Sequence, residues 1–413
     1  MPKIFLIIII LLCASGCGNE FVEINLPVSV ENERAAEIPE KITTDIYFDA
    51  TVSMQGYTTL SGGNVYRTLP DILSDIGGSM GDINFYSFGE KITPLEGKDY
   101  RRFNSPEPYT EIITAVHNVI DKSEPAHLSI IITDLFESDA DWSGIAQKIR
   151  DKFFANHLAV GVIGVKNSFY GDIFDVGLNA AKFRYDSNIL PEKFRPFYLL
   201  IMGNETAVEN FMQKFKARQT LPNDTEYLLL SENLTARAAD LTLLEMENFY
   251  VEDRLNLEER GIREFGLDKF SAPASFTVQF DYNAPIGACP LNLAEMNYDT
   301  KIFYLDEDWR SPARNDVKIS MIDDTVKIAL TPEKSLSEGK INFVQVSIAP
   351  NAKGYQLPHW VNDWNMANVD AAPENFDGSK TVNLVYILGS LKDSVFAATQ
   401  PVLFKMNFVV DAR

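Results

Sequence analysis

Apolar and polar residues follow one pattern in the first half of the chain and another in the second. From residue 43, short apolar segments of strand length alternate with amphipathic segments of helix length. Strands are predicted at residues 45–48, 83–88, 128–133, 158–165, 197–202 and 226–230, and helices at residues 65–76, 111–122, 142–156 and 206–218. This alternation predicts an α/β fold over residues 43–239, with a doubly wound, mostly parallel sheet and helices on both faces.

After residue 271 the pattern changes to short segments in which apolar and polar residues alternate. Turn-forming residues such as Asp323 and Asp324 separate these segments. The alternating segments are SFTVQFDY, KIFYLDE, DVKISMI, TVKIALT, NFVQVSIA, TVNLVYIL and LFKMNFVV. Several short strands at such spacing predict an all-β, sandwich-like C-terminal domain over residues 271–413. Residues 240–270 are charged and mostly helix-forming, which predicts a helical connector between the two domains.

The N-terminal residues have the pattern of an export signal. Lys3 precedes an apolar run over residues 4–12, too short for a spanning helix, which needs about 20 residues. Because three small residues then precede Cys17, we predict a lipoprotein signal peptide at residues 1–16, lipidation of Cys17 and a polar tether over residues 17–42. A cleaved signal with an incidental cysteine is the alternative. The prediction places the protein in the cell envelope, anchored by lipid to the extracytoplasmic face of a membrane.

The charge and the cysteine count narrow the possible partners. The formal net charge is −21, and an acidic surface of that size repels phosphate backbones, which argues against nucleic acid as a partner. If Cys13 is removed with the signal and Cys17 carries lipid, only Cys289 remains. A single cysteine forms no internal disulfide, and it excludes a zinc site built from cysteines.

A turn rich in oxygen ligands follows the first predicted strand. Asp49, Thr51 and Ser53 stand at alternate positions there, so one carboxylate and two hydroxyls are able to point at one spot. Hard oxygen ligands of this kind suit Mg²⁺ or Mn²⁺. A second carboxylate, Asp134, ends the strand at 128–133, and Thr110 lies between the two segments. Open α/β sheets bind ligands at this carboxyl edge, so the spacing predicts a metal site there.

The order of these residues resembles the metal-ion-dependent adhesion site of von Willebrand factor type A domains, over about residues 43–218. In that family a D-x-S-x-S turn, a later threonine and an aspartate after a following strand bind Mg²⁺ together. The resemblance implies direct ligation by Thr51 and Ser53, a third hydroxyl or water-mediated contact from Thr110, and water-mediated contacts from Asp49 and Asp134. Two departures stand out: Thr51 replaces the commoner serine, and Leu135 replaces the usual glycine after Asp134.

The resemblance implies a binding protein rather than an enzyme. The bound Mg²⁺ would engage an exposed Asp or Glu of a protein ligand. Two other functions stay open: a metal-dependent hydrolase of the envelope, and a structural subunit of an envelope assembly whose metal site does not function. Catalysis at the metal needs a general base nearby, and no histidine lies near the motif, which disfavours the hydrolase.

Overall fold

The computed structural model describes residues 41–60, 65–136, 141–176, 181–188, 190–218, 224–234, 241–255, 257, 262–280, 284–304, 316–323, 325–367 and 376–413. The predicted signal peptide, Cys17 and almost the whole predicted tether lie outside these residues. Within them, no helix combines the length and the apolar character that crossing a membrane requires.

The first half of the chain builds a large sheet covered by helices. The strands of this half of the chain are β1 Thr44–Asp49, β2 Ile83–Phe88, β3 Ile92–Pro94, β4 Leu128–Thr133, β5 Ala159–Asn167, β6 Tyr170–Val176, β7 Ala181–Asp186, β8 Arg195–Gly203 and β9 Thr225–Leu230. Its helices are α1 Gly56–Thr59, α2 Leu69–Met80, α3 Val116–Lys122, α4 Trp142–Lys152 and α5 Glu205–Lys216. The strand order in the sheet is β3-β2-β1-β4-β8-β5-β9, and β6 and β7 form a separate hairpin.

The large sheet is mixed, so the prediction of a mostly parallel sheet is confirmed only in part. Strand β1 pairs in parallel with β2 and β4, whereas β3, β8 and β9 run antiparallel to their neighbours. The predicted strand at 197–202 is present as β8, but it lies antiparallel between β4 and β5. After β5 the chain continues into the β6–β7 hairpin and not into a crossover helix. It therefore returns to the sheet at the end where β5 stops, and β8 runs antiparallel to β5. After Arg195, strand β8 is apolar because both its faces are buried, whichever way it runs.

Helices cover both faces of this sheet, as the sequence predicts. Side chains of β1 alternate between the faces: Ile46 and Phe48 belong to the core beneath α2 and α5, and Tyr47 belongs to the core beneath α3 and α4. Each helix turns one apolar stripe inwards, for example Val208, Phe211 and other residues of α5. The sheet is therefore held between two helical layers with its strand ends open to the surface.

The second half of the chain adds further sheets. Its strands are β10 Leu241–Glu247, β11 Phe249–Glu252, β12 Arg263–Leu267, β13 Ala274–Phe280, β14 Met296–Tyr304, β15 Val317–Ile322, β16 Thr325–Leu330, β17 Ile341–Pro350, β18 Asn365–Met366, β19 Thr381–Val382 and β20 Phe404–Asp411. Its helices are α6 Pro332–Ser335, α7 His359–Asp363 and α8 Leu384–Ala398. The main sheets have the orders β10-β13-β16-β15 and β11-β12-β20-β17-β14. Phenylalanines join them: the ring centroid of Phe276 on β13 lies 4.8 Å from that of Phe265 on β12 and 5.1 Å from that of Phe408 on β20.

Two predictions for this half are wrong in their secondary structure. The segment predicted as a helical connector contains strands β10, β11 and β12, because pairing with β13 and β20 and burial of Phe249 and Phe265 override the local helix preference. The segment TVNLVYIL, predicted as a strand, holds only the two residues of β19 and then becomes α8. Buried Leu384, Leu388 and Leu391 follow the spacing of a helix, which extends beyond that segment.

The two halves of the chain share one continuous apolar core. Helix α8 packs against α4, where the hydroxyls of Ser143 and Tyr386 lie 2.6 Å apart. At the sheet itself, the hydroxyls of Tyr198 and Thr381 lie 2.8 Å apart and both are buried. The protein is thus a mixed α/β structure in which C-terminal residues complete one helical layer of the large sheet.

Candidate metal site

The turn after β1 is fixed by backbone hydrogen bonds on both sides. The Ala50 amide donates to the Phe88 carbonyl (2.8 Å) at the end of β2. On the other side, the Val52 amide donates to the Glu111 carbonyl (2.9 Å), and the Glu111 amide donates to the Ala50 carbonyl (3.0 Å). These bonds hold the turn between β2 and the segment before α3, so its side chains have a defined direction.

Within this turn, the three predicted ligands lie together and are buried. Asp49 Oδ1 accepts hydrogen bonds from the Thr51 amide (3.0 Å) and from Thr51 Oγ1 (2.6 Å). Thr51 Oγ1 lies 3.0 Å from Ser53 Oγ. None of the three residues is more than 6% exposed. The alternate spacing of Asp49, Thr51 and Ser53 therefore produces the convergence that the sequence predicts.

The threonine at this site is Thr114 and not Thr110. Thr110 is exposed, four residues earlier in the same segment. Thr114 is buried, and its Oγ1 donates to Thr51 Oγ1 at 3.4 Å. The sequence prediction chose the wrong one of two nearby threonines because α3 begins only at Val116, later than the predicted start at residue 111.

Asp134 reaches the site from the end of β4. It is 4% exposed, its Oδ1 accepts from the Phe136 amide (3.2 Å), and the Ser53 hydroxyl donates to its carboxylate. Leu135 has a φ of 62°, the left-handed conformation that glycine adopts most easily. The loop thus keeps a glycine-like backbone with a buried leucine in it.

The last residue of strand β4, Thr133, also contacts Asp49. Thr133 Oγ1 donates to Asp49 Oδ2 (3.1 Å) and accepts from the Leu135 amide (3.2 Å). Asp49 therefore has hydrogen-bond donors at both carboxylate oxygens. We call Asp49, Thr51, Ser53, Thr114 and Asp134 the strand-end site.

Both carboxylates of the strand-end site are unfavourably placed as anions. Burial, followed by the charge of Asp134, raises the pKa of Asp49 to about 7, although hydrogen bonds from Thr51 and Thr133 oppose the shift. Burial also raises the pKa of Asp134, and the positive charge of Arg195 opposes that shift. A cation between them would stabilise both charged forms. Two carboxylates and three hydroxyls are also a donor set of hard oxygens, so the residues present fit Mg²⁺ or Mn²⁺.

Arg195 belongs to this neighbourhood, and sequence reasoning missed it. Its side chain is buried, and its Nη2 lies 3.7 Å from Asp134 Oδ2. Its Nη1 donates to the carbonyls of Gly378 (3.3 Å) and Lys380 (3.2 Å), from the C-terminal half of the chain. The available signal was weak: one arginine at the start of an otherwise apolar strand.

A second group of acids, also missed from the sequence, lies far along the chain. Glu252, Glu264 and Asp411 each offer a carboxylate oxygen, and these oxygens lie within 4.8 Å of one another, close enough to hold a metal ion. We call these three residues the acidic cluster. Burial raises the pKa of Glu264, and the hydrogen bond from the Leu255 amide opposes that shift. No short motif marks the cluster, because its members come from three separate strands.

Comparisons of the chain with protein-family models, with curated proteins and with solved structures found no match in any of the three.

Proposed function

We propose that the chain is a lipid-anchored, extracytoplasmic binding protein whose strand-end site binds Mg²⁺ and through it an acidic side chain of a protein ligand. The observation that carries this proposal is the convergence of Asp49, Thr51, Ser53, Thr114 and Asp134 at the carboxyl ends of β1 and β4. Five oxygen-bearing side chains from three separate segments meet there.

The proposal includes a von Willebrand factor type A-like fold for residues 43–239. The order of the site residues supports it, with Thr114 in place of Thr110 as the source of the third hydroxyl. The left-handed backbone at Leu135 supports it too, since the family usually has glycine there. The antiparallel β8 is a departure from the parallel sheet of that family, but it lies beyond β4 and leaves the site residues in place.

The chemistry of the site suits binding better than turnover. In the proposed site Thr51 and Ser53 hold the ion through hydroxyls, and Thr114 and the two aspartates hold it directly or through water. A bound Mg²⁺ supplies a positive charge with a coordination position for a ligand carboxylate. The five residues of this chain, all of them buried, would orient that ion.

An apolar contact beside the ion adds to the proposed recognition surface. Ile112 is 81% exposed and Ile113 is 44% exposed, and both lie between Glu111, which pairs with the turn, and buried Thr114. These two neighbouring exposed isoleucines offer apolar surface to a ligand next to the polar site. We expect the ligand to place an apolar residue near its acidic one.

The first test is titration of Mg²⁺ and Mn²⁺ by calorimetry into the soluble chain that starts at Gly18. We expect saturable binding by the wild type and its loss in Asp49→Asn. Asp45→Asn is the matched control, because Asp45 is a buried aspartate on the same strand whose side chain contacts His127 and Asn84 instead. A folded wild type that binds neither ion would contradict the proposal and favour a structural role.

The ligand class is tested by selecting displayed peptides on the Mg²⁺-loaded chain. The proposal expects enrichment of peptides with an Asp or Glu, with binding that disappears in EDTA and in Asp49→Asn. Selected peptides that lack an acidic residue, or that bind equally well in EDTA, would contradict the carboxylate-bridge mechanism.

Membrane attachment is tested separately, since Cys17→Ser should release the full-length chain from the membrane fraction of an expressing bacterium.

A further inference from the structure

We propose that the acidic cluster is a second cation site, separate from the strand-end site, and that it takes Ca²⁺ or a similar hard divalent ion. The clustering of acids alone does not carry this proposal. It rests on the strand register that brings the acids together and on buried carboxylate oxygens without a hydrogen-bond partner.

The strand register places the three acids side by side. Glu252 on β11 is paired directly with Glu264 on the neighbouring β12. On the far side of β12, Gly266 is paired with Asp411 of β20. Like charges directly opposite each other in a sheet are destabilising, so a positive group or a proton has to compensate Glu252 and Glu264.

Among the described residues, two of the carboxylate oxygens have no hydrogen-bond donor. In the described residues, Oε2 of Glu252 and Oε1 of Glu264 are buried and lack a partner. Glu264 as a whole is only 4% exposed, and its other oxygen accepts from the Leu255 amide at 2.8 Å. A buried carboxylate oxygen without a partner is costly, and a coordinated cation would satisfy it.

The arginines nearby do not fill this role. Arg413 binds both oxygens of Asp411, with Nε at 2.9 Å and Nη2 at 2.6 Å. Arg254 pairs with Oε1 of Glu252 and lies 3.7 Å from Asp411 Oδ2. Both arginines are partly exposed, at 61% and 45%, so they approach the cluster from its solvent side. Two guanidinium groups against three carboxylates leave one negative charge, on the side where the two free oxygens are buried.

The ligand chemistry favours Ca²⁺ over softer metals. The available ligands are carboxylate oxygens, and Ca²⁺ accepts them in flexible geometry and completes its shell with water or carbonyl oxygens. Strand β11 has only four residues and forms the edge of its sheet. An ion shared by Glu252, Glu264 and Asp411 would tie this short edge strand to β12 and β20.

The test is a Ca²⁺ titration of the soluble chain from Gly18 that carries Asp49→Asn, so that the strand-end site does not contribute. We expect one saturable site with a dissociation constant of about 10⁻⁴ to 10⁻³ M, as in other extracellular Ca²⁺ modules. Adding Glu264→Gln, and separately Glu252→Gln, should abolish the binding and the rise in Tm that Ca²⁺ produces. Glu247→Gln on the neighbouring strand β10 is the control, because Glu247 is exposed and outside the cluster.

Circular dichroism checks that each variant is folded. Failure of a folded Asp49→Asn chain to bind Ca²⁺ at about 10 mM, well above that range, would overturn the proposal and leave a shared proton as the compensating group. Binding that survives both glutamate substitutions would overturn it equally. Because the background lacks Asp49, either result is independent of whether the strand-end site binds Mg²⁺.

Discussion

The strand-end site and the acidic cluster both bring carboxylates together, but they are built in opposite ways. In the strand-end site, the two aspartates lie at the carboxyl ends of separate strands and are surrounded by hydroxyl groups that donate to them. In the acidic cluster, the acids lie on adjacent strands of one sheet, and partly exposed arginines supply most of their contacts. The first arrangement is defined by loops at a sheet edge and the second by strand register.

The two sites also differ in how strongly water screens the arginine that compensates their carboxylates. Arg195 at the strand-end site is buried and joined to two backbone carbonyls, so its charge acts in a medium of low dielectric. Arg413 at the acidic cluster is 45% exposed, so water screens its charge although Asp411 itself is buried. Similar pairs of residues should therefore differ greatly in their contribution to stability.

The largest expected effect comes from Arg195→Gln. Removing this cation leaves Asp134 buried without its positive partner, which should lower the free energy of unfolding by about 3–5 kcal/mol. The measurement is urea unfolding, with Arg413→Gln as the comparison, which should cost less than about 1 kcal/mol. We also expect saturating Mg²⁺ to recover part of the Arg195 loss. An equal loss with and without Mg²⁺ would show that Arg195 acts independently of the strand-end site.

A smaller effect is expected from Leu135, whose side chain is buried on a left-handed backbone. Leu135→Ala removes apolar burial and keeps the unfavourable φ, so it should cost about 3 kcal/mol. Leu135→Gly removes the same burial but relieves the backbone, so it should cost about 1 kcal/mol less than the alanine variant. Thermal unfolding of the two variants measures the difference. A glycine variant less stable than the alanine variant would show that the left-handed conformation carries no strain.

The two threonines of the same segment give the next effect. Thr114→Val removes a buried hydroxyl from the strand-end site and should weaken Mg²⁺ binding about tenfold. Thr110→Val is the matched control, since that side chain is exposed and should leave the affinity unchanged. Calorimetry on both variants decides between them. If Thr110→Val weakened Mg²⁺ binding and Thr114→Val did not, Thr110 would be the threonine of the metal site, as the sequence predicts.

The smallest effect is expected from Glu205, a partly buried acid with a neutral hydrogen-bond partner. Burial raises the pKa of Glu205, and a hydrogen bond from Asn233 (2.7 Å) opposes this. The folded chain then keeps a proton that the unfolded chain loses near pH 4.5, so this group's contribution to stability falls as the pH rises above that value. Glu205→Gln should therefore gain stability relative to the wild type as the pH rises above 4.5. A difference in unfolding free energy between the two chains that does not change with pH would contradict the prediction.

The local sequence predicted elements better than it predicted their directions. The runs IIIT and FYLLIM identify β4 and β8 because strands buried on both faces have to be apolar. The same runs carry no information on strand direction, which the β6–β7 hairpin decides. Helix α8 was missed because its first residues alternate as a strand does, and only its packing on α4 fixes the helical period.

The strand-end site shows the same division between sequence and tertiary structure. The sequence alone determined the D-x-T-x-S turn of Asp49, Thr51 and Ser53 and the carboxylate of Asp134, because these positions depend on short spacings next to predictable strands. Only the tertiary structure decided that Thr114 replaces Thr110, that Arg195 lies against Asp134, and that Glu252, Glu264 and Asp411 meet. Those contacts join residues distant in sequence, and the packing and pairing that produce them depend on the whole chain rather than on local pattern.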